Sequence, residues 1–479
     1  MQRAFVAGEW CAADSGDTDA VVNPANGDVI GHVPRMGADE TTRAIQAAVL
    51  AQRAWAACTP AERHTVLKRW HALIVENADA LARLMTLEQG KLLSQSRTEV
   101  VYGASYIEWF AEEARRAAGD ILPHAQGDKR ILVMRQPIGV TAAITPWNFP
   151  IATVTRKCAP ALAAGCAQVL KPAPETPFCA LALAKLGEEA GLPAGVFSVV
   201  TGDAEAIGGA MMASEDVRLV SFTGSTPVGK LLIEQSAQTV KKLELELGGH
   251  APFIVFDDAD LDLAADQLMA CKFRNMGQVC IAANKIFVHE DVATSFLDKL
   301  KDRIGALTTG PGDEDAFDQG PLINGAAVNK VDRHVRDAAK KGAQVLTGGK
   351  AHALGGNFYE PTLLTGITPD MLVTQEETFG PVAPVMTFSS EKALIEQVND
   401  TQVGLASYFF SQDIARVWRV AEALDYGMVG VNSGVLSAAE APFGGVKQSG
   451  LGREGGARGL DAFLEDKYVC LGGLSGDVT

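Results

Sequence analysis

Cys280 stands near the centre of Lys272-Phe273-Arg274-Asn275-Met276-Gly277-Gln278-Val279-Cys280-Ile281-Ala282-Ala283-Asn284-Lys285, shortly after a glycine and between apolar runs. A thiolate attacks carbonyl carbon far better than an alcohol does, so Cys280 is a candidate nucleophile. Taken alone, a cysteine is more often buried and inert. A working nucleophile also needs a base and an oxyanion donor. In Leu243-Glu244-Leu245-Glu246-Leu247-Gly248-Gly249-His250 acidic residues alternate with leucines, so on a strand Glu244 and Glu246 share one face. The Gly-Gly pair after them permits a close backbone approach, and a carboxylate beside such a turn is a candidate base. An exposed glutamate at a strand edge fits the same pattern. In Thr145-Pro146-Trp147-Asn148-Phe149-Pro150, Asn148 lies between two aromatic residues and two prolines. A fixed amide there can donate to a developing oxyanion, or serve as an ordinary turn asparagine.

Two glycine patterns bear on what else binds. Gly450-Leu451-Gly452-Arg453-Glu454-Gly455 satisfies G-x-G-x-x-G but follows Lys447-Gln448-Ser449 rather than a strand, with too little chain left for a βαβ unit. It carries little weight as a dinucleotide fingerprint. Gly224-Ser225-Thr226-Pro227-Val228-Gly229-Lys230-Leu231 follows a plausible strand, Arg218–Thr223, and looks like a P-loop. Leu231 occupies the place of the magnesium-binding hydroxyl, which argues against an NTPase. Gly224 and Ser225, between strand and helix, suit a dinucleotide phosphate at a helix N-terminus.

These residues need a scaffold. At 479 residues the chain exceeds what one core organises, and two large domains are expected. A net charge of −16 argues against nucleic-acid and anionic-membrane partners. The N-terminal stretch lacks the apolar core of a signal peptide and no segment is apolar enough to span a bilayer, so a cytoplasmic protein is expected. Eight scattered cysteines without C-x-x-C, and eight histidines without ligand spacing, suggest neither a disulfide framework nor a metal site. Asn-Pro and Asn-Gly within residues 21–30 predict a hairpin-like lead-in. Helical periodicity then runs from about 38 to 118, with Thr59-Pro60-Ala61-Glu62 as a helix start and Trp55, Trp70 and Trp109 as packing anchors. From Ile131, strand candidates at 131–134, 139–144, 168–171 and 196–200 alternate with helices near 151–165, 176–190 and 203–213. That alternation predicts a parallel sheet with helices on both faces. A second alternating section, about 251–387, predicts a second α/β domain carrying Cys280.

Together these motifs resemble the aldehyde dehydrogenase superfamily. The resemblance covers essentially the whole chain, through Asn23-Pro24-Ala25-Asn26-Gly27-Asp28, Pro146-Trp147-Asn148-Phe149-Pro150, Phe222-Thr223-Gly224-Ser225, Glu246-Leu247-Gly248-Gly249, Gly277-Gln278-Val279-Cys280, Glu377-Thr378-Phe379-Gly380-Pro381 and Pro442-Phe443-Gly444-Gly445. It implies Cys280 as nucleophile, Glu246 as general base, and Asn148 with the Cys280 backbone N–H as oxyanion hole. It implies Lys171 and Ser225 on the adenosine ribose and phosphates of a nicotinamide cofactor and Glu377 and Phe379 on its nicotinamide ribose side, with Trp147, Glu175 and Gly224 as further cofactor-binding residues. The implied fold is α/β: a Rossmann-type cofactor domain (1–119 and 139–246), an α/β catalytic domain (247–450), and a small β oligomerisation element pairing 120–138 with 458–479 between subunits of a homodimer or homotetramer.

Arg156–Gly165, Lys272–Asn275 and Phe443–Gly455 most resemble the succinate-semialdehyde dehydrogenases of that superfamily. This implies that Arg156, Arg274 and Ser437 hold a distal carboxylate, for which guanidinium forks are suited, with Phe149 and Phe443 flanking the aliphatic middle. Glutarate semialdehyde or another short carboxylated aldehyde is the alternative substrate; a coenzyme A-acylating enzyme and a non-catalytic scaffold are the other readings. Pro174, where relatives carry a side chain that reads the ribose, can neither accept from its hydroxyls nor repel a 2′-phosphate. The expectation leans to NADP over NAD, with Glu175 on the other side of the balance.

Overall fold

The computed structural model describes residues 3–474 apart from residue 315. The lead-in is the expected hairpin, Thr18–Val22 antiparallel to Val29–Pro34. Helices α1 (Ala38–Ala57), α2 (Pro60–Glu76), α3 (Ala78–Gln89) and α4 (Leu93–Glu113) fill the segment whose periodicity predicts them. A capping box starts α2: the Thr59 hydroxyl accepts from the Glu62 N–H at 3.3 Å and Glu62 Oε2 accepts from the Thr59 N–H at 2.7 Å. Pro60 follows at the first helical position, where no N–H is needed. The buried indoles of Trp55 and Trp70 donate to the Leu162 and Leu183 carbonyls at 2.9 and 3.0 Å. They anchor the layer on α5 (Ala152–Ala164) and α6 (Pro177–Ala190).

Beneath it lies an eight-stranded sheet in the order Glu9–Cys11, Ala4–Val6, Phe197–Val199, Ala167–Lys171, Val140–Ile144, Val217–Thr223, Lys242–Glu246, Gly450–Leu451. The five strands from Phe197–Val199 to Lys242–Glu246 are parallel, linked through α5, α6, α7 (Ala204–Ala213) and α8 (Thr226–Ser236). Val140–Ile144 and Ala167–Lys171 are almost wholly buried, as befits strands covered on both faces. A second sheet of seven strands runs Gln344–Thr347, Thr362–Thr365, Val382–Phe388, Ala283–His289, Ala251–Val255, Ala406–Phe410, Met428–Val431, parallel except for the first pair. It has its own apolar core, and α9 (Leu261–Lys272) packs beside it and leads into the Cys280 segment.

Two expectations require correction. Ile131–Met134 does not join the parallel sheet. It lies inside Arg130–Pro137, which pairs antiparallel with Asp120–Pro123 on one side and Leu464–Leu471 on the other. Its side chains are half-exposed, whereas a central parallel strand would be buried on both faces. Secondly, this pairing of the 120–138 and C-terminal segments, expected between subunits, is made within the chain. It follows directly from helix η (Ala457–Phe463), which packs on α5 and delivers Leu464 opposite Pro137. Residues 475–479 of that expected element lie outside the described residues.

One short run ties the edge of the eight-stranded sheet to a separate two-stranded pairing that lies just before the Ala406–Phe410 strand of the seven-stranded sheet. Val446–Lys447 pairs with Val403–Gly404, and three residues later Gly450–Leu451 closes the edge of the eight-stranded sheet against Leu245 and Glu246. Between them the Ser449 hydroxyl accepts from the Gly404 N–H and donates to the Gly248 carbonyl, each at 2.9 Å. The G-x-G-x-x-G run is therefore sheet edge and turn.

Candidate active site

Cys280 is delivered by an unusual turn. After α9, Asn275 (φ 49°), Met276 (φ 54°) and Gly277 (φ 73°) lie consecutively in the left-handed region, which side chains other than glycine resist. Asn275 is held there on every polar atom of its side chain. Its Oδ1 accepts from Gln89 Nε2 at 3.1 Å, its Nδ2 donates to the Asn148 carbonyl at 3.1 Å, and its N–H donates to Gln95 Oε1 at 3.0 Å. Gly277 passes so near the Gly380 carbonyl that a Cβ would stand 2.2 Å from that oxygen. The Gln278 side chain is fixed by the Ile323 N–H, which donates to its Oε1 at 2.9 Å.

Cys280 then sits half-buried in a cavity of about 430 Å³ between the two sheets. Asn148, on the loop after Val140–Ile144, lines it, with Nδ2 donating to the Gln278 carbonyl at 3.0 Å. An amide nitrogen carries two protons, so one remains for a second acceptor. Glu246, last residue of its strand, lines the same cavity, and neither of its buried carboxyl oxygens has a hydrogen-bond partner among the described residues. Beyond it Gly249 lies against the backbone of Cys280, where a Cβ would stand 2.8 Å from the Cys280 carbonyl oxygen. The Gly-Gly pair thus serves backbone-to-backbone packing as well as any ligand.

The charges are arranged unevenly. Glu454 bridges two buried cations, with Arg156 Nε and Lys157 Nζ each 2.5 Å from one of its oxygens. Arg156 also lies over the Phe443 ring, 4.1 Å from its centroid. Arg274 has no ion pair among the described residues, its Nε has no partner, and its guanidinium leans on Phe149 at 5.4 Å. Burial pushes the Glu246 carboxyl well above the usual carboxylate range and nearby Glu454 adds to the rise, while Arg156 and Lys157 oppose it. Burial likewise pushes the Cys280 thiol up to about 12, with Arg156 as the main opposing influence. The Cys280 thiol is therefore held neutral at pH 7.

Asn148, Glu246, Cys280, Trp147, Gly224, Ser225, Glu377, Phe379, Arg156, Arg274, Ser437, Phe149 and Phe443 all line this one cavity. Lys171 and Glu175 lie apart from its wall, at and just beyond the carboxyl end of Ala167–Lys171. Lys171 is buried, donates to the Pro172 carbonyl at 3.1 Å, and has its ammonium pKa pulled down by burial against the pull of Glu175. Trp147 and Phe379 meet edge-to-face at 5.6 Å. Glu377 is half-buried, with its Oε1 atom buried and unpartnered, and desolvation raises its carboxyl to about 7. Ser225 stands at the N-cap position of α8, with only Gly224 between it and the strand Val217–Thr223, the strand–turn–helix geometry that suits a phosphate. Sequence reasoning missed Tyr102, Lys330 and Asn324 in the wall, and Lys157 and Glu454 behind it. Glu454 lay inside the G-x-G-x-x-G run, weighed only for its glycines; no local spacing marks Tyr102 or Lys330.

Thiol, carboxyl and amide from three elements, beside an unpaired guanidinium, can carry acyl-transfer chemistry on a small anion. The Thr223 hydroxyl and Glu377 Oε1, both buried without partners, fit the hydroxyl and amide groups of a dinucleotide. The model for the aldehyde dehydrogenase family matches residues 10–469. The chain is 55% identical to the NADP(+) succinate-semialdehyde dehydrogenase GabD of Escherichia coli, covering 98% of each. It is 56% identical to the glutarate-semialdehyde dehydrogenase of Pseudomonas aeruginosa, covering 99% of this chain and 98% of that one. A crystal structure of succinate-semialdehyde dehydrogenase from Burkholderia pseudomallei superposes with a TM-score of 0.98 at 57% identity, covering 98% of each chain.

The raised thiol pKa sets a direction for pH dependence: the thiolate fraction grows as pH rises. Alkylation of Cys280 by iodoacetamide, followed by mass spectrometry of its peptide, should accelerate roughly tenfold per pH unit from 7 to 10. An ordinary thiol, with a pKa of about 8.5, levels off within that range. A plateau below pH 8 contradicts the assignment.

Proposed function

The chain belongs to the aldehyde dehydrogenase family, and we propose that it oxidises succinate semialdehyde to succinate with NAD or NADP. The observation that carries the substrate is Arg274: a guanidinium without an ion pair among the described residues, in the wall of the cavity that holds Cys280. Arg156 and Ser437 complete the anion site, and Phe149 and Phe443 line the short aliphatic stretch. The relatives named for succinate and glutarate semialdehydes support this class of substrate.

In this reading Cys280 gives its proton to water and the thiolate adds to the aldehyde carbon. The resulting oxyanion is met by the free Asn148 amide proton and the Cys280 N–H. The nicotinamide, when bound, supplies the acceptor for the aldehyde hydrogen. Cys280 is left as a thioester. Glu246, once ionised, takes a proton from water, whose oxygen adds to the thioester carbon; the Cys280 sulfur leaves and a carboxylate is formed. The raised pKa of Glu246 makes its ionised form a stronger base than an exposed glutamate.

Gly224 and Ser225 would hold the cofactor phosphates, Lys171 and Glu175 the adenosine ribose, and Trp147, Glu377 and Phe379 the nicotinamide end. Pro174 leaves room for a 2′-phosphate, and the E. coli relative is named for NADP(+), so we lean to NADP. Residues 1–119 and 139–246 form the cofactor unit, and 247–450 the catalytic one. The three-stranded sheet, with Ile121, Leu122, Met134, Tyr468 and Leu471 exposed, is suited to assembly as a homodimer or homotetramer.

Glutarate semialdehyde is the second reading, favoured by the P. aeruginosa relative of that name. A panel of charged and neutral aldehydes against saturating NAD and NADP tests both; clear preference for a neutral aldehyde overturns the anion site, and strong NAD preference overturns the NADP lean. Arg274→Ala should weaken transition-state binding of carboxylated aldehydes by about 2–5 kcal/mol and leave neutral ones nearly unchanged, read as kcat/KM. Glu246→Gln should preserve a first burst of reduced cofactor and slow the turnovers that follow. An unchanged steady state removes Glu246 from deacylation, while release that depends on added coenzyme A identifies an acylating enzyme instead.

A further inference from the structure

A buried ion pair absent from the recognised motifs lies directly behind the oxyanion side of the cavity. Lys91 and Glu99 each have a side chain about 1% exposed. Lys91 follows α3, Glu99 belongs to α4, and ammonium and carboxylate are in direct contact. Taking two charges out of water is costly unless each is fully partnered. Here both are. Lys91 Nζ donates to Glu99 Oε2 and, at 2.7 Å, to the main-chain carbonyl of Asn148, and it stands 4.2 Å from the centroid of the Phe149 ring. Glu99 Oε1 accepts from the N–H groups of Ile151 and Ala152, at 3.0 and 3.2 Å, where α5 begins. The Lys91 N–H donates to Gln89 Oε1 at 2.9 Å, and Gln89 Nε2 reaches Asn275.

Burial pulls the Lys91 ammonium pKa down, and contact with Glu99 opposes that fall. The consequence of the geometry is specific. The Asn148 carbonyl is gripped from two sides, by Lys91 Nζ and by Asn275 Nδ2. With the Asn148 side chain donating one proton to Gln278, its remaining proton is left a single direction. The same ammonium backs the Phe149 ring, on whose surface Arg274 leans.

We propose that Lys91, held by Glu99, is a positioning residue for the reaction: it aims the free amide proton of Asn148 at the developing oxyanion and fixes the Phe149 face of the substrate channel. This rests on the reading of Asn148 as oxyanion donor. A residue that aligns the donor acts on formation of the tetrahedral adduct and hydride loss, and not on cofactor affinity.

The test is Lys91→Met in the full-length protein. Because this strands the Glu99 charge, the double variant Lys91→Met, Glu99→Gln is made beside it, with active sites counted by Cys280 alkylation. The single-turnover rate of cofactor reduction per active site should fall roughly 10- to 100-fold, with succinate semialdehyde and with a neutral aldehyde alike. The cofactor KM should stay within about twofold of the parent, on the reasoning that only the reacting end is misaligned. A primary isotope effect with 1-deutero aldehyde should grow in step. Single-turnover rates equal to the parent in either folded variant overturn the proposal, as does a loss expressed wholly in cofactor KM. Asn148→Ala in the same assay separates the two readings: a slow Asn148→Ala with a normal Lys91→Met defeats the proposal alone, and a normal Asn148→Ala defeats the oxyanion reading beneath it.

Discussion

The left-handed turn at Asn275, Met276 and Gly277 is the constraint on which the rest of the site depends. Two of its residues carry side chains, and such conformations cost on the order of 1–3 kcal/mol each when the surroundings do not enforce them. The surroundings do enforce them. Asn275 is satisfied by Gln89 and Gln95 from the helical layer and by the Asn148 carbonyl from the cofactor-side sheet. Gly277 fills a space set by Gly380. The placement of Cys280 is consequently decided by atoms from both halves of the molecule, and a nucleophile held in this way needs little reorganisation when a carbonyl arrives.

Electrostatics divide the labour between the two arginines. Glu454 shares its charge between Arg156 and Lys157, so Arg156 is already partly neutralised and is pinned over Phe443. Arg274 keeps its charge uncompensated, which makes it the stronger attractor for a distal anion. The same Glu454 raises the neighbouring Glu246. One carboxylate thereby tempers the Arg156 cation and adds to the rise that burial imposes on Glu246.

Much of this was legible in the chain. Helical spacing from 38 to 118, the capping box at Thr59 and the strand–helix alternation after 139 are local signals, and the structure realises them at nearly the expected bounds. The candidate residues were readable where chemistry and backbone demands coincide, as at Gly248-Gly249 and Asn148. What escaped was non-local. Lys91 and Glu99 are separated from Asn148 by half a domain of sequence and look like ordinary helix-end charges until burial is known. Glu454 hid inside a glycine pattern. Ile131–Met134 has the composition of a core strand, but composition cannot distinguish a strand covered on both faces from one packed in a small, half-exposed sheet.

The run from Val446 to Leu451 pairs first with Val403–Gly404, just before the Ala406–Phe410 strand of the seven-stranded sheet, and then with the edge of the eight-stranded sheet, and this bears on how the protein comes apart. A chain whose two large units were joined only by a linker could lose one and keep the other. Here separation must break the Val403–Gly404 pairing, the edge strand against Leu245 and Glu246, and both hydrogen bonds of Ser449. The strand that ends in Glu246 is itself one of those edges. Release of this run would therefore loosen the strand end that carries Glu246, so that separating the two sheets and disrupting the cavity go together.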